Sequence, residues 1–195
     1  MATPYNFPSG TINDISFGPA RVYMDTYTTS HGTGIETFGT DVGFIGEDGV
    51  SVEISAERRD ITQGNPRLIE YSFTQAQSVM VNFTSIAWDV DNFARALGGS
   101  SDVTAATATA ESFGFGGDPI NQEVGMRIAH EMAITGNTIQ VYVWRAMSES
   151  GFTIPFGQDE HQFEFSFKVL RSEKDWAGTD LDRKKQLILV ERELQ

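Results

Sequence analysis

Apolar and polar residues alternate with a period of two through most of this chain, the spacing that sends successive side chains to opposite faces of a β-strand. In Val50-Ser51-Val52-Glu53-Ile54-Ser55-Ala56-Glu57, the residues Val50, Val52, Ile54 and Ala56 share one face and Ser51, Glu53, Ser55 and Glu57 the other, which predicts a half-buried strand. Val79, Val81 and Phe83 alternate in the same way with Met80, Asn82 and Thr84. So do Val124, Met126, Ile128, His130, Met132 and Ile134 with Gly125, Arg127, Ala129, Glu131 and Ala133. Ile139, Val141 and Val143 alternate with Gln140, Tyr142 and Trp144, and Phe163, Phe165, Phe167 and Val169 with Gln162, Glu164, Ser166 and Lys168. Each strand is expected to keep one wet face, and the last has an aromatic core face. A final strand is expected over residues 186–193, after a solvated turn at Arg183-Lys184-Lys185.

Turn signals divide these segments: Gly18-Pro19, Asp48-Gly49, Gly64-Asn65-Pro66, Gly98-Gly99, Gly136-Asn137 and Gly178. Residues 132–139 read as two long strands joined by a tight hairpin, so the pairing is expected to be antiparallel. One segment has a different period. Val90, Phe93, Ala94 and Leu97 follow the i, i+3, i+4, i+7 spacing of an amphipathic helix. Asp89 and Asp91 suit its N-terminus and Gly98 its end, so a helix is expected over residues 88–97. The Gly- and Thr-rich residues 28–40 and the small-residue stretch 99–117 are expected to be loops.

At 195 residues, one domain spanning 1–195 is expected, and no internal repeat divides it. A chain of that length buries about 70% of the surface its unfolded form exposes, enough to stand without covalent staples. It contains no cysteine, which removes disulfides, thiolate metal sites and cysteine nucleophiles. The first residues, Met1-Ala2-Thr3-Pro4-Tyr5-Asn6-Phe7, lack a basic-then-apolar leader, and no run approaches the roughly 18 apolar residues of a membrane span. Synthesis in the cytoplasm without membrane insertion is therefore expected. Asp and Glu number 27 against 14 Lys and Arg, a formal charge of -13. Such a balance opposes a static grip on nucleic acid through phosphates. It suits equally a merely soluble surface and a wall along which a negative polymer slides without sticking.

Candidate chemistry is sparse. His31, His130 and His161 are the only histidines, and His130, on an otherwise apolar strand face, reads as a packed residue. Asp159-Glu160-His161 has metal-binding residue types, but consecutive strand residues point to opposite faces. Gly114-Phe115-Gly116-Gly117-Asp118-Pro119 matches neither a phosphate loop nor a dinucleotide fingerprint, and no Gly-x-Ser-x-Gly occurs. With so many acids, chance carboxylate pairs are expected, so no glycosidase dyad is assigned. Asn82-Phe83-Thr84 matches a glycosylation sequon but reads as a strand segment. The expectation is a protein that is not an enzyme and that takes no cofactor and no metal.

The segment Asp41-Val42-Gly43-Phe44-Ile45-Gly46-Glu47-Asp48-Gly49-Val50, followed by its alternating strand, resembles the major tail tube proteins of long-tailed bacteriophages. The order of parts is similar as well: a first strand at Gly18-Pro19-Ala20-Arg21-Val22-Tyr23-Met24, a glutamine-containing loop at Asp60-Ile61-Thr62-Gln63-Gly64-Asn65-Pro66-Arg67, a returning strand and a helix. The resemblance covers residues 15–99; beyond them it rests on strand pattern alone. It implies a mainly β fold: a two-sheet antiparallel sandwich or barrel with one flanking helix, a protruding loop at about 58–68, an extended N-terminal arm and a C-terminal strand. It also implies hexameric rings stacked into a hollow tube in the virion tail, through which double-stranded DNA passes without specific binding. Tape-measure, tail-terminator and baseplate proteins would be the other partners. The same architecture serves contractile tails and type VI secretion tubes.

Under that resemblance Ser51, Glu53, Ser55 and Glu57 are candidate lumen-lining residues, although the same alternation fits an outer solvated face. Arg58, Arg59, Gln63 and Arg67 are candidate inter-subunit contacts, because the three arginines concentrate positive charge in an acidic chain. Pairing of these arginines with the chain's own acidic strands is the alternative. A second function class, a carbohydrate- or receptor-binding β-sandwich, calls for exposed aromatics grouped in loops. The three tryptophans, Trp88, Trp144 and Trp176, are instead spread along the chain.

Overall fold

The computed structural model describes residues 18–28, 35–64, 67–97, 104–107, 110–112, 123–132, 137–149, 151, 153–156 and 161–192. The expected N-terminal arm and the carboxylates Asp159 and Glu160 lie outside them. The fold is mainly β, antiparallel throughout, with a single short α-helix among the described residues.

The strands are β1 (Arg21–Thr26), β2 (Thr40–Asp41), β3 (Ile45–Gln63), β4 (Leu68–Ser85), β5 (Thr104–Thr107), β6 (Ala110–Ser112), β7 (Val124–Glu131), β8 (Thr138–Ser148), β9 (Phe163–Val169) and β10 (Ile188–Arg192); the helix α1 is Val90–Leu97. Eight of the strands form one sheet in the order β2-β1-β7-β8-β9-β4-β3, with β10 also on β8. The branch at β8 makes the architecture. One edge of β8 carries β7, and the other carries β10 beside residues 139–143 and then β9 beside residues 146–148. A register irregularity opposite Val124 and Met126 marks the bend. Through it the β1–β7 half and the β4–β9 half contribute to one apolar cluster that includes Val22, Met24, Val81, Phe83, Met126, Val143, Phe165 and Phe167. A continuous sheet that turns a corner at a shared strand does the work of two packed layers.

The β9 alternation is as expected, with Phe163, Phe165, Phe167 and Val169 buried and Glu164 and Lys168 exposed. The expected wet face of β8 is not wet. Tyr142 and Trp144 are buried with Phe38 and Trp176 in a second cluster. The cause is the chain after β9, which crosses that face: Trp176 Nε1 donates to the Trp144 carbonyl at 2.9 Å, and Trp144 Nε1 donates to the Lys185 carbonyl at 2.7 Å. A fork from Arg145 to Glu123, at 2.6 and 2.5 Å, ties down the same region, and this hydrogen bonding raises the Arg145 pKa above its ordinary value.

Other local readings need adjustment. Asp48-Gly49 does not end a strand; it sits in a bulge within β3, between the pairs Ile45↔Ser85 and Val50↔Phe83, where Gly49 takes φ 70°. The run at 104–110, expected as a loop, contributes the two-stranded ribbon β5–β6. β7 and β8 do pair as a hairpin, Glu131 opposite Thr138, though its turn lies outside the described residues. The helix begins two residues after its expected start, with Asp89 Oδ1 accepting from the Asp91 amide at 2.9 Å as a cap. Asn92 fastens α1 to the body by donating to the Val42 carbonyl at 2.8 Å.

A candidate assembly surface

β3 and β4 are 19 and 18 residues long, and most of their length leaves the body. β4 pairs with β9 only from Met80 to Ser85, so its residues 68–79 have β3 on one side and no strand on the other among the described residues. β3 is the last strand of the sheet order, and no strand pairs with its outer edge among the described residues. The result is a two-stranded arm with two unpaired edges, in which every described residue from 53 to 78 is exposed. The expected protruding loop at 58–68 is therefore paired strand up to Gln63 and again at Leu68, with Gly64 and Arg67 in turn conformation and residues 65 and 66 outside the described residues.

Ser51, Glu53, Ser55 and Glu57 are all exposed and lie on one face, as their spacing requires. The register adds neighbours that alternation in one strand does not reveal. Ser51 is opposite Asn82 and Asn82 opposite Ser166; Glu53 is opposite Met80 and Met80 opposite Lys168. Ser166 Oγ donates to Asn82 Oδ1 at 2.8 Å. Three strands thus present one polar face with Glu53, Glu57, Glu164 and the cation Lys168. The opposite face departs from the half-buried strand expected over residues 50–57. Val50 and Val52 are partly covered, but Ile54 is 67% exposed, at the side of a groove that it shares with Leu187 and Ile188.

Beyond Glu57 the apolar face changes sides. Register shifts between Glu57 and Arg58 and between Ile61 and Thr62 leave Gln75 and Glu70 as extra residues on β4. Arg59 then faces Phe73 and Ile61 faces Tyr71 on the Glu57 side of the arm, whereas Ile54 faces Val79 on the core side. Tyr71 and Phe73 stack with ring centroids 6.3 Å apart. Ile61, Leu68, Ile69, Tyr71 and Phe73 are exposed on this distal half. Neither strand announces the switch in its own alternation, since Tyr71, Phe73, Val79, Val81 and Phe83 are all odd-numbered.

Arg58, Arg59, Gln63 and Arg67 are exposed on the same distal half. None of the three arginines forms an ion pair among the described residues, so pairing with the chain's own acidic strands is not made. At the other end of the β3–β4 pair lies a second exposed group that strand patterning does not mark: Phe44, Trp88 and Phe156, with Trp88 5.9 Å from both Phe156 and His161. His130 is half-buried, with Nδ1 3.1 Å from the Pro19 carbonyl. No group of three or more metal-ligating side chains converges among the described residues, and no helix there is long and apolar enough to cross a membrane.

The fold and the surface define a class: an antiparallel β-protein whose longest hairpin is exposed over most of its length. No protein-family model matches the chain, and no curated protein matches it.

Proposed function

We propose that this protein is a structural subunit that polymerises with copies of itself into a hollow tube, the major tail tube protein of a bacteriophage virion. One observation carries the reading: the β3–β4 arm leaves two strand edges and both apolar faces open to water. Unpaired edges of that length template pairing with another chain, and closed assembly is a way to remove the hazard. Magnitudes favour a many-contact assembly over a simple pair. Full burial of the five exposed apolar side chains of the distal arm contributes at most about 7–15 kcal/mol, similar to the roughly 4–15 kcal/mol that association costs in lost freedom. A single arm contact is marginal, and a ring closed on itself satisfies several at once. The polar face with Ser51, Glu53, Ser55 and Glu57 supports a lumen wall, because acidic and small side chains hold no phosphate.

Negative-stain microscopy and sedimentation of the purified chain test the assembly: rings or tubes of uniform bore are expected, and a persistent monomer at high concentration overturns the reading. Charge reversal by Glu53→Lys and Glu57→Lys tests the lumen. Tubes are expected to form but to retain double-stranded DNA in a salt-dependent way. Unchanged DNA delivery by such tubes removes these residues from the lumen.

A further inference from the structure

The two exposed apolar groups sit at opposite ends of one rod. The β3–β4 register runs from Ile45↔Ser85 at the body end to Gln63↔Leu68 at the tip. At about 3.3 Å per residue the rod is on the order of 55 Å long. Phe44 belongs to the body end, since its carbonyl accepts from the Ile86 amide at 3.0 Å. Trp88 belongs there too, 5.3 Å from Phe163, which pairs with Ser85. Phe44 is 76%, Trp88 52% and Phe156 84% exposed, a group that water-facing aromatics of a lone subunit do not need.

Charge differs between the two ends as well. The distal half of the arm carries Arg58, Arg59 and Arg67, exposed and outside every ion pair among the described residues, against the two acids Asp60 and Glu70. The body end carries acids. Glu47 and Asp48 project from the bulge of β3, and Asp89 and Asp91 follow Trp88 at the start of α1. Asp48 borders the same groove as Thr153 and Pro155, the residues that lead to Phe156 in the chain.

The geometry points to an axial, head-to-tail contact: the arm tip of one copy docks on the Phe44–Trp88–Phe156 end of a second copy, aromatic on aromatic and arginine on carboxylate. The inference rests on the self-assembly reading and names the surface that receives the arm. Opposite ends that complement each other make a heterologous contact, which propagates along the rod axis without closing. Buried aromatics and arginine are the residue types that anchor such interfaces. The contact fixes polarity, since every subunit must point its tip the same way.

The cysteine-free chain allows a direct test. Tyr71→Cys and Phe156→Cys place thiols on two exposed side chains, so neither change disturbs the core. After assembly and treatment with a short bismaleimide, a mixture of the two single variants is expected to give a heterodimer band. Neither variant alone should give a dimer, and the double variant should give a ladder. Dimers from Tyr71→Cys alone mean that tips meet tips and overturn the proposal. Particles that form without any Tyr71–Phe156 link also overturn it, while leaving the self-assembly reading standing; a chain that forms no particles at any concentration overturns both. As a second arm, Arg58→Glu with Arg59→Glu, or Glu47→Lys with Asp48→Lys, should each raise the concentration needed for assembly about tenfold or more. The four changes together should restore most of it. Failure of the combined variant to recover, with each pair impaired, counts against the pairing of these two ends.

Discussion

A Cβ added at Gly125 would lie 2.7 Å from Trp176 Nε1 and 2.8 Å from the Phe38 ring, both in the second cluster. Gly125→Ala is therefore expected to destabilise the subunit by about 1–3 kcal/mol through overpacking, read as a lower urea midpoint at unchanged slope. Phe165 is 3% exposed and packs 5.2 Å from Phe83, so Phe165→Ala should cost more, about 3–5 kcal/mol, from lost burial and the cavity left behind. Ile54 and Tyr71 are large and apolar but exposed, and their replacement by Ser is expected to change subunit stability by only about 0.5 kcal/mol. The same two substitutions should weaken assembly measurably in a sedimentation experiment. That contrast distinguishes residues that hold the subunit together from residues that join subunits.

The arm is the element in which fold and function separate. Its distal half is exposed and pairs only with itself among the described residues, so excising residues 58–75 and joining Glu57 to Ala76 through Asn-Gly should preserve the body. Thermal unfolding of that variant is expected within a few degrees of the parent, with assembly abolished. A large loss of melting temperature would show that the arm stabilises the body. The helix was legible from its spacing and caps, because Phe93 and Ala94 are the positions that a 3.6-residue period turns inward. The arm was legible only in part. Alternation announced strands at 50–57 and 79–84, but period two is identical for a strand that packs on a body and one that projects beyond it. Likewise Tyr142 and Trp144 alternate correctly, and their burial depends on a segment about thirty residues away in sequence that covers the second face.

At the scale of the whole molecule, the net charge of -13 and the open strand edges act against each other. Acidic subunits repel one another, while apolar and edge-pairing contacts draw them together, so assembly should show a threshold concentration rather than a gradual rise. Arginine–carboxylate contacts at the ends are screened by salt. Raising NaCl from about 0.05 to about 0.5 M shortens the Debye length from roughly 14 to roughly 4 Å and screens the repulsion between acidic subunits as well as the end contacts, so it is expected to change the fraction of long particles less than sulfate, which favours them by strengthening apolar burial. Light scattering across both salts checks the order of the two effects. Assembled particles should also melt higher than the dilute subunit, since only the folded state associates.

Taken alone, the chain's hydrophobic periodicity and turn residues determined that it is an antiparallel β-protein with one short helix, and the spacing of Ser51, Glu53, Ser55 and Glu57 determined that these share a face. Those properties are local: a period of two or 3.6 residues is set by backbone geometry within a few positions. Tertiary structure decided the rest. The branch at β8, the cover over Trp144, the neighbours of Ser51 on β4 and β9, and the change of apolar side beyond Glu57 depend on register between distant strands. One extra residue on β4, Gln75, suffices to move Phe73 and Tyr71 to the face opposite Val79, because a bulge shifts one strand against its partner without altering the alternation of either.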